Sequence, residues 1–228
     1  MRRALLIVAK APEPGRTKTR LVPPLTPDQA AELSKAFLLD TLHLARQLAW
    51  ERISVVAPAG SATALAPLLP PEVILLEQRG IGLGDALRHA FASHFAESFS
   101  RVVLIGSDSP TLPAAFIRQA CAALERFDLS VGPSVDGGYY LIGMRQPHLG
   151  VFEDISWSTA SVFAETLQRA HALSLNVSTL PTWYDVDDAE HLARLRNELR
   201  SSPADLAPHT RAALQTLSLV APAASASV

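Results

Sequence analysis

Only three lysines occur in the 228-residue chain, and two of them, Lys10 and Lys18, fall in one short stretch. That stretch reads Lys10-Ala11-Pro12-Glu13-Pro14-Gly15-Arg16-Thr17-Lys18-Thr19-Arg20. Lys10, Arg16, Lys18 and Arg20 around Gly15, with free backbone N–H groups between them, have the chemistry of a phosphate cradle. A proline-stiffened solvated loop would carry the same charges. The position, directly after a short apolar run that reads as the first strand, favours phosphate, because open α/β sheets bind ligands beyond the carboxyl ends of their strands.

A second chemical stretch, Gly106-Ser107-Asp108-Ser109-Pro110-Thr111, follows the apolar run Val102 to Ile105. An acid there can hold Mg²⁺ through one carboxylate and leave other positions for phosphate and water. It can equally form an Asx turn into the next helix. The order G-S-D-S-P excludes a nucleophile elbow, which needs G-x-S-x-G. In the third, Asp136-Gly137-Gly138-Tyr139-Tyr140, Asp-Gly is a hairpin signal, and the two tyrosines must point to opposite sheet faces. Trp183-Tyr184-Asp185-Val186-Asp187-Asp188 adds further acids. Asp187, with Glu190 three residues on, reads as a helix cap unless the fold brings it beside Asp108.

The remaining signals are weaker. Gly80-Ile81-Gly82-Leu83-Gly84 lacks the third glycine of G-x-G-x-x-G, because Asp85 stands in its place. The histidines lack metal-ligand spacing. Cys121, in an alanine-rich helix, reads as buried and inert, and a lone cysteine excludes an intramolecular disulfide framework. Arg194, Arg196 and Arg200 read as charges that offset a helix dipole.

Positioning these loops requires a scaffold, and the apolar pattern supplies one. Leu5 to Val8, Ile53 to Val56, Val73 to Leu76, Val102 to Ile105 and Leu129 to Val131 read as parallel strands covered on both faces. Helices are predicted from about Pro27 to Ala49, Leu83 to Ala96, Ala114 to Arg126, Ala160 to Ala172 and Asp188 to Leu199. Thr26 and Gln29 form a capping box for the first of these, and Pro27 suits its first turn. The βα alternation predicts a doubly wound sheet, and Tyr139 to Met144, after turn chemistry, predicts an antiparallel strand inserted late.

A net charge of −2 and a pI near 6.4 leave no global field to recruit nucleic acid or an anionic membrane. Mean hydropathy is +0.18, but the apolar content is dispersed, and Ala4 to Ala9 is far short of the ~20 residues a bilayer span needs. Arg2 and Arg3 imitate the start of a signal peptide, yet Lys10 interrupts the apolar run too early. The expectation is a cytoplasmic protein of one domain over residues 1–220, with a frayed small-residue tail at 221–228.

Taken in order, these loops resemble a glycosyltransferase A-like family of unknown function related to the nucleotide-diphospho-sugar transferases. The matching residues are Ala9 to Pro12, Lys18 to Leu21, Gly106 to Pro110, Asp136 to Gly143, Trp157-Ser158-Thr159 and Tyr184 to Asp187. The opening loop is also similar to that of 2-phospholactate guanylyltransferases, and Asp108-Ser109-Pro110 to the acid-x-proline of molybdenum-cofactor guanylyltransferases. The resemblance implies a GT-A, three-layer α/β/α sandwich with a mostly parallel mixed sheet. It implies a nucleotide-activated substrate, NTP or NDP-sugar, a small-molecule acceptor, and Mg²⁺ or Mn²⁺ at Asp108 and Asp187. Lys18, Asp108 and Asp136 are then the catalytic candidates. Lys10, Gly15, Arg16, Arg20, Gln78, Gly84, Ser107, Gly137, Tyr139 and Trp157 are the candidates for binding. Two departures stand out: a single acid in Ser107-Asp108-Ser109 where many glycosyltransferases carry Asp-x-Asp, and Asp85 in place of an acid followed by arginine, with Arg88 the nearest substitute cation.

The cationic first loop and the lone acid at 108 favour nucleotidyl transfer from an NTP to a small phosphorylated acceptor. Glycosyl transfer with Asp136 as base, or a nucleotide-binding protein without turnover, are the alternative readings.

Overall fold

A computed structural model describes residues 2–220, with side chains through residue 217. The expected frayed tail at 221–228 lies outside the described residues. Seven strands form one sheet: β1 (Arg3–Val8), β2 (Arg52–Ala57), β3 (Ile74–Glu77), β4 (Arg101–Gly106), β5 (Leu129–Pro133), β6 (Tyr139–Met144) and β7 (Val177–Thr179). Their order is β3-β2-β1-β4-β6-β5-β7. β6 runs antiparallel to β4 and β5, and every other pairing is parallel. The late antiparallel insertion is therefore present.

The helices are α1 (Pro27–Arg46), α2 (Ala62–Leu65), α3 (Gly82–Ala96), α4 (Ala114–Ala123), α5 (Val162–Ala172), α6 (Ala189–Ser201) and α7 (Pro208–Val220). The central strand shows why three layers form. Leu5 and Ile7 pack toward Leu38 and Leu42 of α1 and Ile117 of α4, whereas Ala4 and Leu6 pack toward Leu87 and Phe91 of α3. Alternate side chains leave opposite faces of a strand, so an unbroken apolar run demands helices on both sides. Leu33 and Phe37 of α1 also face a third cluster with Leu21, Tyr184, Leu195 of α6 and Leu214 of α7.

α1 begins as the capping box requires: Thr26 accepts from the Gln29 N–H, and the Gln29 side chain accepts from the Thr26 N–H. Three sequence expectations are corrected. β3 is the sheet edge, with Ile74 and Glu77 exposed, so it is not a strand covered on both faces. Asp188, not Asp187, caps α6 by accepting from the His191 N–H. α6 is also followed by another helix, α7, whose first N–H groups, at His209 and Thr210, are accepted by the buried Asp40 carboxylate of α1.

Among the described residues, no helix is long and apolar enough to cross a membrane.

Candidate active site

The chain runs outward from β1 to β2 and β3, then returns to place β4 on the other side of β1. The loops leaving β1 and β4 therefore diverge, and the crevice between them is the topological switch point of the sheet. A cavity of about 270 Å³ opens there, lined by Lys10, Arg16, Thr17, Lys18, Arg20, Ser107, Asp108 and Asp187, among others.

The first loop is pinned on both sides of Lys18. Thr17 is buried and shares a hydrogen bond with Ser34 of α1 at 3.1 Å, while Leu21 is fully buried in the third apolar cluster. Between them Lys18 adopts a left-handed backbone, φ 49° and ψ 39°, before a 3₁₀ turn over Thr19–Leu21. A non-glycine residue in this region is uncommon and is held there by its surroundings. The result is a side chain only 4% exposed, whose ammonium lies 2.8 Å from Asp108 Oδ1 and 2.9 Å from Asp187 Oδ1. Arg20, 70% exposed, approaches the other oxygen of Asp187, Oδ2, at 2.9 Å. Arg16 is turned to Glu13 at the loop's exposed rim.

Asp187 and a further acid, Asp185, arrive on an extended segment threaded between two loops. The Trp183 N–H donates to Pro133 O, and the Val186 N–H donates to Asp108 O. Tyr184 and Val186 are buried in the third cluster, so the alternation aims Asp185 and Asp187 the other way. Asp185 accepts from Ser109 through Oδ1 and from Ser134 through Oδ2, tying the loop after β4 to the turn after β5. The sequence alone gives Asp185 no distinct role. The available signal was the i, i+2 spacing of the two acids between apolar neighbours.

Electrostatics follow from this packing. Burial alone would lower the Lys18 ammonium's pKa, but Asp108 and Asp187 outweigh it and hold the value above that of an ordinary lysine. Burial would raise Asp187, yet Lys18, Arg20 and His191 keep it below the usual carboxylate range. Asp185 is pushed up to about 6, first by burial and then by the repulsion of Asp108 and Asp187, against the Ser109 hydrogen bond.

The remaining candidates divide. Lys10, Arg16, Arg20 and Ser107 line the cavity, and Gly15 makes the turn ahead of Arg16 with φ 73°. Asp136, Gly137, Tyr139, Gly84 and Trp157 do not line it. Asp136 is exposed and accepts from the Gly138 N–H, a hairpin contact. Gly137, at φ 89°, lets its turn lie against Ala160, where a Cβ would fall 2.1 Å from the carbonyl oxygen. Tyr139 meets Trp157 edge to face at 6.5 Å, and its hydroxyl is buried without a partner. Trp157 also lies over Gly84, where a Cβ would come within 2.5 Å of the indole nitrogen. Gln78 lines a separate groove of about 620 Å³ between β3 and α3. Arg88, the substitute cation, faces Asp85 and Glu153. Cys121 is buried, and its thiol is pushed up to about 11 by burial.

Among the described residues, no group of three or more His, Cys, Asp or Glu side chains could hold a metal ion. Asp108 and Asp187 do converge on one cation position. One or two carboxylates, completed by waters and substrate phosphates, is the usual protein share of a Mg²⁺ site, so this donor set fits.

A mostly parallel mixed sheet with a cationic loop and an acid facing each other at its switch point defines a nucleotide-diphospho-sugar transferase-like α/β fold. Residues 40–159 match the family described as "uncharacterized protein conserved in bacteria (DUF2064)", and the chain belongs to it. It is 30% identical over 183 residues to 2-phospho-L-lactate guanylyltransferase of Methanothermobacter thermautotrophicus, covering 78% of each chain. A crystal structure from Desulfovibrio desulfuricans G20, provisionally named a nucleotide-diphospho-sugar transferase, is 34% identical with a TM-score of 0.87, covering 96% of both chains. Rv0371c of Mycobacterium tuberculosis, solved with manganese, shares the fold at TM-score 0.55 and 18% identity, covering 86% of this chain and 97% of its own. The relatives place the chain in the transferase class.

Proposed function

We propose that this protein is a divalent-metal-dependent nucleotidyltransferase that moves a nucleoside monophosphate from an NTP to a small phosphorylated acceptor. The observation that carries the reading is the buried Lys18 ammonium between Asp108 and Asp187, on the wall of a cavity also lined by Lys10, Arg16 and Arg20. At about 270 Å³ the cavity is smaller than the roughly 300–1,000 Å³ typical of sites for whole drug-sized ligands. It suits the polyphosphate, with the nucleoside lying outside it. The relation to a guanylyltransferase supports the same reaction class.

An oxygen of the acceptor phosphate attacks the α-phosphorus, the bond from that phosphorus to the α–β bridging oxygen breaks, and pyrophosphate leaves. Catalysis of this kind rests on alignment and on cations placed where charge develops. Lys18 is fixed by its buried loop for that task, and Arg16 and Arg20 can follow the outer phosphates from the rim. A divalent cation held by Asp108 and Asp187 would neutralise the departing phosphates.

The test is a panel of all four NTPs and several NDP-sugars, offered with Mg²⁺ and phosphorylated acceptors and followed by phosphorus NMR. Pyrophosphate from at least one NTP is expected. Release of NDP from a sugar donor, with no pyrophosphate from any NTP, would replace this reading by glycosyl transfer and return Asp136 to consideration as the base. Nucleotide binding without conversion of any donor would favour a non-catalytic role.

A further inference from the structure

Asp187 commits both carboxylate oxygens to cations, Oδ1 to Lys18 and Oδ2 to Arg20. Asp108 Oδ1 holds the same Lys18 ammonium. The position on which the two carboxylates converge is thus filled by a group of this chain. Arg20 is largely exposed and can leave for water, whereas the Lys18 side chain is 4% exposed. We infer that Lys18 is the resident counter-cation of the Asp108–Asp187 pair, and that it gives way to a divalent cation only when phosphate is present to take its ammonium. This rests on the metal-dependent reading above.

The argument is one of charge. A carboxylate has enough lone pairs to serve two donors, so geometry alone would let ammonium and metal share the pair. A doubly charged ion beside a buried ammonium nevertheless pays strong repulsion at low dielectric. A buried ammonium cannot simply be left without an anion either. Phosphate oxygens are the partner that resolves both conflicts, through charge-assisted hydrogen bonds. The loop need not move for this exchange. Thr17 and Leu21 hold the backbone, and the flexible four-carbon stem of lysine can re-aim within the cavity. The nucleotide-free protein should therefore bind divalent metal weakly, and metal and polyphosphate should bind together.

The small number of lysines makes this directly observable. With ε-¹³C-labelled lysine the protein gives three side-chain signals, from Lys10, Lys18 and Lys35, assignable by single substitutions. Millimolar Mg²⁺ alone should leave the Lys18 signal in place, and Mg²⁺ with pyrophosphate should shift it. A full shift with Mg²⁺ alone, or none with Mg²⁺ and bound pyrophosphate, overturns the exchange.

A second measurement is Mn²⁺ binding to the nucleotide-free protein by electron paramagnetic resonance. Lys18→Met keeps the stem and removes the charge, so it should bind Mn²⁺ at least tenfold tighter than wild type, and adding Asp108→Asn should abolish the gain. Equal or weaker binding by Lys18→Met, with Asp108→Asn still impairing wild-type binding, overturns the exchange while leaving Asp108 as a metal ligand. Absence of Mn²⁺ binding in every form, even with pyrophosphate, overturns the metal-dependent reading and the exchange together.

Discussion

At Lys18 two carboxylates share one ammonium, and Lys18→Ala leaves both without it and, in the proposed reaction, removes a cation from the phosphates. The loss of transition-state stabilisation should be about 2–4 kcal/mol, or roughly thirty- to a thousandfold in kcat. Nucleoside affinity, which the proposed reading sets outside this cavity, should change less. Steady-state kinetics with a binding titration separates the two effects, and a purely structural lysine would lower melting temperature without a selective loss of kcat.

Asp185 gives a pH prediction. Its carboxyl titrates at about 6 in the folded chain, against about 3.9 in an unfolded one. The native state therefore holds this proton more tightly, and stability falls as pH rises from about 4 through 6, by about 3 kcal/mol in all. Asp187 has the opposite sign, since its depressed pKa gives stability above the usual carboxylate range that is lost on acidification. Asp185→Asn should cancel the first trend. Melting temperatures of wild type minus variant should decline between pH 4 and 6 and level off above, and a difference independent of pH would contradict the assignment.

At the scale of elements, neighbouring acids on one segment do different work. Asp188 caps α6, so Asp188→Ala should cost about 1 kcal/mol of stability and leave nucleotide binding intact. Asp187→Asn should weaken metal-dependent nucleotide binding and, by taking one anion from the buried Lys18 ammonium, also lower the melting temperature near neutral pH; calorimetry beside thermal denaturation separates it from Asp188→Ala, which leaves binding intact. Gly137 combines φ 89° with the approach to Ala160, so Gly137→Ala should destabilise by more than ~1 kcal/mol and loosen the segment that carries Trp157. Proteolytic sensitivity near residues 155–161 would report it.

Elements whose cause is local were legible in the sequence. The apolar runs of β1 and β4 and the Thr26–Gln29 box specify themselves. β7 was not legible, because Val177-Ser178-Thr179 is a strand only by pairing with β5. α7 was not, because its first turn is capped by Asp40 from a helix far earlier in the chain. The same distinction applies at the site. Lys18 and Asp108 could be picked out by loop position, whereas Asp187 reads by itself as a cap and enters only through the resemblance; one ammonium bridging two acids is a tertiary fact. Asp136 and Trp157 enter as site candidates through the resemblance, and the fold places both away from the cavity, with the Gly137 turn against Ala160 and Tyr139 against Trp157.

For the whole molecule, near-neutral charge means the cationic cavity acts locally, at the switch point between β1 and β4, with no broad field behind it. The relatives belong to the transferase class, and the sheet brings three loops together at one crevice. The account therefore centres on which bond of a nucleotide is broken there. Parallel incubations of each of the four NTPs, labelled with ³²P at the α- or γ-phosphorus, each with Mg²⁺, a pool of small phosphorylated acceptors and several unlabelled NDP-sugars, test this most directly. The account predicts α-label in a new acceptor product and γ-label in pyrophosphate. Transfer of the γ-label to an acceptor, or retention of both labels in unconverted NTP while an NDP-sugar is consumed, would contradict it.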